Sequence, residues 1–240
     1  MFTRLHHQRI AKVLESLDAD LLKWHNCLFA GGTAIALGYG EYRESVDMDF
    51  LVSDLSSYRY LRNLVREQGL QALIKSTDVG QFQTSDIRSD QYGIRTKVFV
   101  EGKPIKFEIV LEGRIGLVKP GKQDSVLGVA TLTKIDMAVS KLLANSDRGL
   151  DMGMHCRDVI DLAMLNLSKS EFNEATTKAD AAYGEAILKD LAKVIGILGE
   201  ANGLLERCMK AMDVSVPRAL LWQNISKVGS FIPDGISNEG

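Results

Sequence analysis

The chain has little of what would tie it to a disulfide framework, a membrane or a polyanion. Its 240 residues include three cysteines, Cys27, Cys156 and Cys208. Their odd number and wide separation argue against paired bridges and fit the reduced thiols of a cytosolic protein. The opening segment through Trp24 has no apolar h-region, so no signal peptide is expected. No apolar run reaches the roughly 18 residues needed to cross a bilayer. An excess of one charge is also missing: 29 Lys and Arg face 31 Asp and Glu, a formal net charge of -2. That balance argues against a histone-like nucleic-acid binder, although a local basic face remains compatible with it. Internal repeats and low-complexity tracts are absent. His155-Cys156 has no partner pair at zinc-ligand spacing, so no zinc site is read. A cytoplasmic location with no membrane partner is the expectation.

What is present is ordinary globular composition, 45% hydrophobic and 25% charged, in a chain long enough to bury a good core. Residues 5–24 carry apolar positions at helical spacing, with Asp18 and Asp20 near a break, and place His6 and His7 on a surface helix. "CLFAGG" reads as a short buried strand ending at glycines, and "TAIALGYG" as a helix that Thr33 can cap. "DMDFLV" reads as a strand, and Asp54 opens a capped helix closed by Gly69. Tyr58 and Tyr60 on that helix read as packing residues, and Arg59, Arg62 and Arg66 as a solvated face or an RNA-phosphate patch. "LQALIK" is a candidate strand. "IRTKVFV" and "IKFEIVLE" form a hairpin, with Pro104 keeping the start of its second strand near an edge. Beyond Lys119-Pro120-Gly121 the pattern becomes helical: Leu132–Ala144, Cys156–Leu167 and a tract from Ser170 to Met212, before a poorly ordered "FIPDGISNEG". The expected organisation is α+β, with a mixed sheet and flanking helices over residues 1–118 and a helical domain over 119–240.

The chemistry is concentrated in "LFAGGTAIALGYGEYRESVDMDFLVSD". In a strand, alternate side chains share a face, so Asp47 and Asp49 project together while Met48 and Phe50 enter the core. Two neighbouring carboxylates repel unless a cation lies between them. Magnesium takes hard oxygen ligands, commonly one or two carboxylates with phosphate oxygens and water completing the shell. The plain alternative is a solvated strand edge. Upstream, Gly31 and Gly32 end a strand and open a helix whose unpaired N–H groups favour phosphate. Together these place a phosphate cradle and a metal site in one short unit. Two-metal phosphoryl transfer asks for a third carboxylate. Alternation in "IKFEIVLE" sets Lys106 and Glu108 opposite the apolar face, making Glu108 the candidate and Glu112 its substitute; a polar outer face is the alternative.

The motif "GGTAIALGYGEYRESVDMDF" resembles the nucleotidyltransferase motif of the AbiEii/AbiGii toxin family, within the DNA polymerase β-like superfamily. It matches at Gly31, Gly32, Thr33, Ala34, Arg43, Ser45, Asp47, Asp49 and Phe50. "KLLANSDRGLDMGMHCRDVIDLAML" is similar to that family's second block, at Lys141, Ala144, Arg148, Arg157, Asp158, Asp161 and Leu162. The third acidic position, usually Asp, is here Glu108. The resemblance implies a magnesium- or manganese-dependent enzyme that moves NMP from an NTP to a hydroxyl acceptor, with Asp47, Asp49 and Glu108 as catalytic and metal-binding groups. Gly31, Gly32, Thr33, Arg43, Ser45 and Lys141 would hold the nucleotide, joined by Arg148 and by Asp158, which could orient either cation. For Asp161 a helix–helix salt-bridge network is the expected role, and for the other charged residues of the block it is the alternative reading. The resemblance further implies the toxin of a toxin–antitoxin or phage-defence pair, with tRNA or another RNA as acceptor and an antitoxin as partner. The alternatives are a non-catalytic nucleotide- or partner-binding member of the fold, or an enzyme modifying antibiotics or proteins.

Overall fold

The computed structural model describes residues 2–151, 156–200 and 203–233. The chain divides into two compact units, one of residues 1–41 and 45–133 and one of residues 42–44 and 134–240.

In the first unit the 5–24 helical pattern breaks where Asp18 sits. Helix α1 (Leu5–Ser16) ends there, and Asp18 caps α2 (Ala19–Trp24) by accepting the Leu21 N–H at 2.9 Å. The buried side of α1 carries Ile10, Val13 and Leu14, but also His7, which is fully buried rather than on the surface. Strand β1 (Leu28–Ala30) is buried throughout and runs into α3 (Gly31–Gly38). Strand β2 (Asp47–Val52) alternates as the sequence demands, with Met48, Phe50 and Val52 buried and Asp47, Asp49 and Leu51 half-exposed. Helix α4 (Leu55–Gln68) is capped by Asp54, which accepts the Ser57 N–H at 2.7 Å, and is closed by Gly69 at φ 75°. Tyr58 on this helix is buried, whereas Tyr60 is half-exposed and stacks on His25 with ring centroids 4.2 Å apart.

"LQALIK" does not form the expected strand. Leu70 and Leu73 are both buried at a spacing of three, which a 3₁₀ turn over Leu70–Leu73 satisfies and strand alternation does not. Two exposed two-residue strands follow, β3 (Gln83–Thr84) and β4 (Arg88–Ser89), too short to leave a periodic signal. The hairpin appears as β5 (Gly93–Val100) and β6 (Lys103–Leu111). The sheet order is β1-β2-β6-β5-β3, with β4 also on β5. Strand β2 pairs antiparallel with β1 but parallel with β6, beginning at Asp47 opposite Lys106. Pro104 precedes that pairing, so its missing N–H costs no ladder bond on the β2 side. A small hairpin, β7 (Ser125–Val126) and β8 (Val129–Ala130), completes the unit. Residues 119–133, expected with the helices, lie in this unit: the Leu132 N–H donates to the Phe29 carbonyl at 3.2 Å.

The second unit is helical: α5 (Lys134–Arg148), α6 (Arg157–Met164), α7 (Lys169–Tyr183), α8 (Ala186–Glu200), α9 (Leu204–Ala211) and α10 (Arg218–Gly229). The tract expected from Ser170 to Met212 is thus three helices. Helix α7 starts at a capping box of Ser168 and Glu171 and stops at Gly184, whose φ of 62° suits glycine. Most of the expected C-terminal tail, from residue 234 onward, and His155 lie outside the described residues.

The core of the sheet's apolar face is an aromatic row across three strands, Phe29 to Phe50 at 5.3 Å and Phe50 to Phe107 at 5.2 Å. All three rings are fully buried. Phe50→Ala is expected to cost about 3–5 kcal/mol through lost burial and the cavity left behind. Chemical denaturation monitored by circular dichroism checks it, and a loss below 1 kcal/mol would mean the row closes over the gap.

Candidate active site

The parallel register of β2 and β6 builds the polar face of the sheet. Asp47 lies opposite Lys106 and Asp49 opposite Glu108, while on the other side of β6 Glu108 pairs with Arg95 of β5. Side chains at directly paired positions project to the same face. Asp47, Asp49 and Glu108 therefore share one face of two adjacent strands, as alternation predicts. They do not form a closed cage. Among the described residues, no three His, Cys, Asp or Glu side chains converge closely enough to hold a metal ion between them. Glu108 is engaged by cations instead, with Lys106 Nζ at 2.8 Å and Arg95 Nε at 3.3 Å. Partial burial pulls the Lys106 ammonium down in pKa. The hydrogen bond and charge of Glu108, joined by the charges of Asp47 and Asp49, outweigh this and raise it above the usual lysine value. Glu112, the other candidate, is buried after the end of β6 and pairs with Arg114 at 2.8 Å.

The glycine turn sits directly against this face. Gly31 adopts φ +72°, and a Cβ built there would lie 2.5 Å from Asp49 Oδ2. Only a residue without a side chain allows β1 to turn into α3 so close to that carboxylate. Ala30, at the N-cap position, makes no side-chain cap bond, and the first N–H groups of such a helix, from Gly31 and Gly32 onward, favour negative charge. Thr33 is not the expected cap. It is buried, its hydroxyl donates to the Asp47 carbonyl, and it lies 2.8 Å from Ser45 Oγ. Thr33 thus fastens the helix to the start of β2. Ser45 is held from the other side by His7, whose Nε2 accepts the Ser45 N–H at 3.1 Å. An acceptor role at Nε2 leaves the proton on Nδ1, which donates to Glu41 at 2.8 Å. A groove of about 580 Å³ lined by Lys23, Trp24 and Lys119 lies elsewhere in the unit, past Val52, where the Leu117 N–H donates to Ser53.

The remaining candidates belong to the second unit and form one buried ion cluster. Arg43 grips Asp161 with two nitrogens, Nε to Oδ1 at 2.6 Å and Nη2 to Oδ2 at 2.8 Å, and the Tyr42 hydroxyl donates to Oδ1 at 2.6 Å. Lys141 bridges Asp158 at 2.9 Å and Asp161 at 2.8 Å. Arg148 donates to both oxygens of Asp158, at 2.8 and 3.1 Å. Asp158 therefore orients both Lys141 and Arg148. Desolvation pushes both aspartates up in pKa, and the Lys141 charge with the paired guanidinium (Arg148 for Asp158, Arg43 for Asp161) more than reverses it. Both carboxyls are held below the usual range. Tyr42, His7, Arg95 and the charge role of Lys106 escaped the sequence. Only Lys106 left a signal there, through its alternation with Glu108.

A mixed sheet carrying paired aspartates beside a glycine turn, with helices following, defines an α+β nucleotidyltransferase fold. The chain belongs to the family described as "Nucleotidyl transferase AbiEii toxin, Type IV TA system", whose model matches residues 13–218. It is similar in structure to JHP933 from Helicobacter pylori, at TM-score 0.55 and 16% identity over 97% of this chain and 92% of that one. A weaker likeness, TM-score 0.44 at 15% identity over 98% and 90% of the two chains, is to MenT4, a nucleotidyltransferase toxin of Mycobacterium tuberculosis H37Rv. No curated protein shows significant sequence similarity. No described helix is long and apolar enough to cross a membrane.

Gly31→Ala is expected to lower stability by about 1–3 kcal/mol, because it adds positive-φ strain to the collision with Asp49. Gly38→Ala, where a Cβ meets nothing within 4 Å, serves as the control and is expected to be neutral or stabilising. Thermal unfolding of the two variants reads the difference directly. Asp161→Asn leaves Arg43 and Lys141 facing a neutral group, at an expected cost of about 3–5 kcal/mol. Since both carboxyls are depressed on folding, their stabilisation is fully present above the unfolded carboxylate value of about 3.9 and is lost as pH falls below it. Denaturation midpoints between neutral and strongly acid pH should fall steeply in the wild type and less steeply in Asp161→Asn.

Proposed function

We propose that the chain transfers NMP from an NTP to a hydroxyl acceptor in a reaction that depends on a divalent metal ion. One observation supports this reading above the others: the Asp49 carboxylate sits on the glycine turn that opens α3, on the same face as Asp47. The donor set fits magnesium or manganese, being hard carboxylate oxygens beside a cradle that any Cβ would fill. A bound ion would supply charge neutralisation at the phosphates.

The chain's own residues would do the rest. Asp47 and Asp49 hold the ion. The α3 N-terminus receives phosphate oxygens through the N–H groups of the Gly31–Thr33 turn, while Thr33, Ser45 and His7 hold that turn against β2. The acceptor hydroxyl attacks the α-phosphorus and gives up its proton to solvent water, the bond to the bridging oxygen breaks, and pyrophosphate leaves. Such chemistry depends chiefly on positioning and electrostatics. Roles for Arg43, Lys141 and Arg148 in stabilising phosphate charge, with Asp158 orienting the last two, belong to the same proposal. Family membership supports a toxin acting with an antitoxin; RNA, tRNA included, is the proposed acceptor class, and phage defence a proposed setting.

Incubating the protein with magnesium, each α-labelled NTP, total RNA and cell lysate tests the reading. Label is expected in RNA with the wild type, and Asp47→Ala/Asp49→Ala should reduce transfer by at least about a thousandfold. Transfer that persists in the folded double variant would overturn it, and label in protein or a small molecule would replace the acceptor.

A further inference from the structure

The acidic face already contains a cation. Three carboxylates share one face of β2 and β6, and neighbouring like charges raise one another's energy unless a positive charge intervenes. Lys106 is placed for this by the register alone: it faces Asp47 across the parallel pair and precedes Glu108 by two residues on the same side of β6. Its ammonium reaches Glu108 at 2.8 Å and feels the charges of Asp47 and Asp49. Glu108 in turn has Asp49 opposite it on one side and Arg95 on the other. Its carboxylate engages Arg95 Nε at 3.3 Å and is only 15% exposed. The longer glutamate chain explains how it can do so from a position directly opposite Asp49. One more methylene than aspartate carries the carboxylate toward the two cations.

We propose that Lys106 is the resident counter-charge of this face and that Glu108 acts as its anchor, with Arg95, instead of as a third metal ligand. The inference rests on the proposed metal-dependent site and assigns Asp47 and Asp49 alone to the ion. Lys106 is a positioning residue in this scheme. It screens the aspartates before an ion arrives and limits how strongly the face attracts a second one.

The experiment is manganese binding to the full-length protein without nucleotide, followed by electron paramagnetic resonance and isothermal titration, with unfolding temperature measured alongside. Glu108→Gln is expected to keep the wild-type manganese affinity within about threefold, since it removes an anchor and not a ligand. A loss of about tenfold or more, the usual penalty for damaging a metal site, would overturn the assignment. Lys106→Met is expected to bind manganese roughly tenfold more tightly, because a repelling charge is gone and Glu108 is released. Its metal-free form should unfold at lower temperature, and manganese should restore more stability to it than to the wild type. Unchanged or weaker binding in a folded Lys106→Met protein would also overturn the proposal. Absence of manganese binding in the wild type and both variants would instead sink the metal-dependent reading on which it rests.

Discussion

The parallel pairing of β2 with β6 is the constraint on which the acidic face depends. Had the two strands slipped by one residue, Asp47 and Asp49 would face Phe107 and Ile109 across the ladder, and the polar and apolar faces would exchange. The buried row of Phe29, Phe50 and Phe107 forbids that slip, because it would turn aromatic rings toward solvent. Apolar packing on one side of the sheet thereby fixes carboxylate geometry on the other. The chemistry of the face is a consequence of a core that contains none of it.

Two different solutions to buried or crowded charge appear in the chain. In the second unit, Asp158 and Asp161 are almost wholly buried and are matched by Arg43, Lys141 and Arg148 with short, directed bonds. Loss of either aspartate from such a cluster strands buried positive charge away from water. On the sheet of the first unit, the charges are more exposed and the matching is looser. Lys106 is half-exposed, so its hold on Glu108 is screened and exchangeable. The proposed metal-dependent transfer would call for the second kind of arrangement.

Glycine and threonine in the α3 turn divide the labour. Gly31 creates the close approach to Asp49, and Thr33 fixes the angle at which the helix leaves it by bonding to the backbone of Asp47. His7, deep under the same turn, links Glu41 to the Ser45 backbone. A residue that looks like surface decoration on α1 is therefore part of the support beneath the turn.

Local pattern in the sequence was enough to place β1, α3, β2 and α4, to set Asp47 and Asp49 on one face, and to mark Gly31 as a turn against something. Each follows from period, cap or conformational freedom, which neighbouring residues decide among themselves. The same reasoning recovered the β5–β6 hairpin and the side of β6 that carries Lys106 and Glu108. It failed at "LQALIK", where burial three residues apart favours a 3₁₀ turn, and at residues 119–133, whose attachment to the first unit runs through a long-range bond to Phe29. Beyond that hairpin, which strand lies beside which, and which partner a charged side chain takes, were settled only in three dimensions. Glu108 shows the reason. Its chain position assigns it a face and a hairpin partner, but its place opposite Asp49 depends on the parallel β2–β6 pairing, which the sequence does not mark.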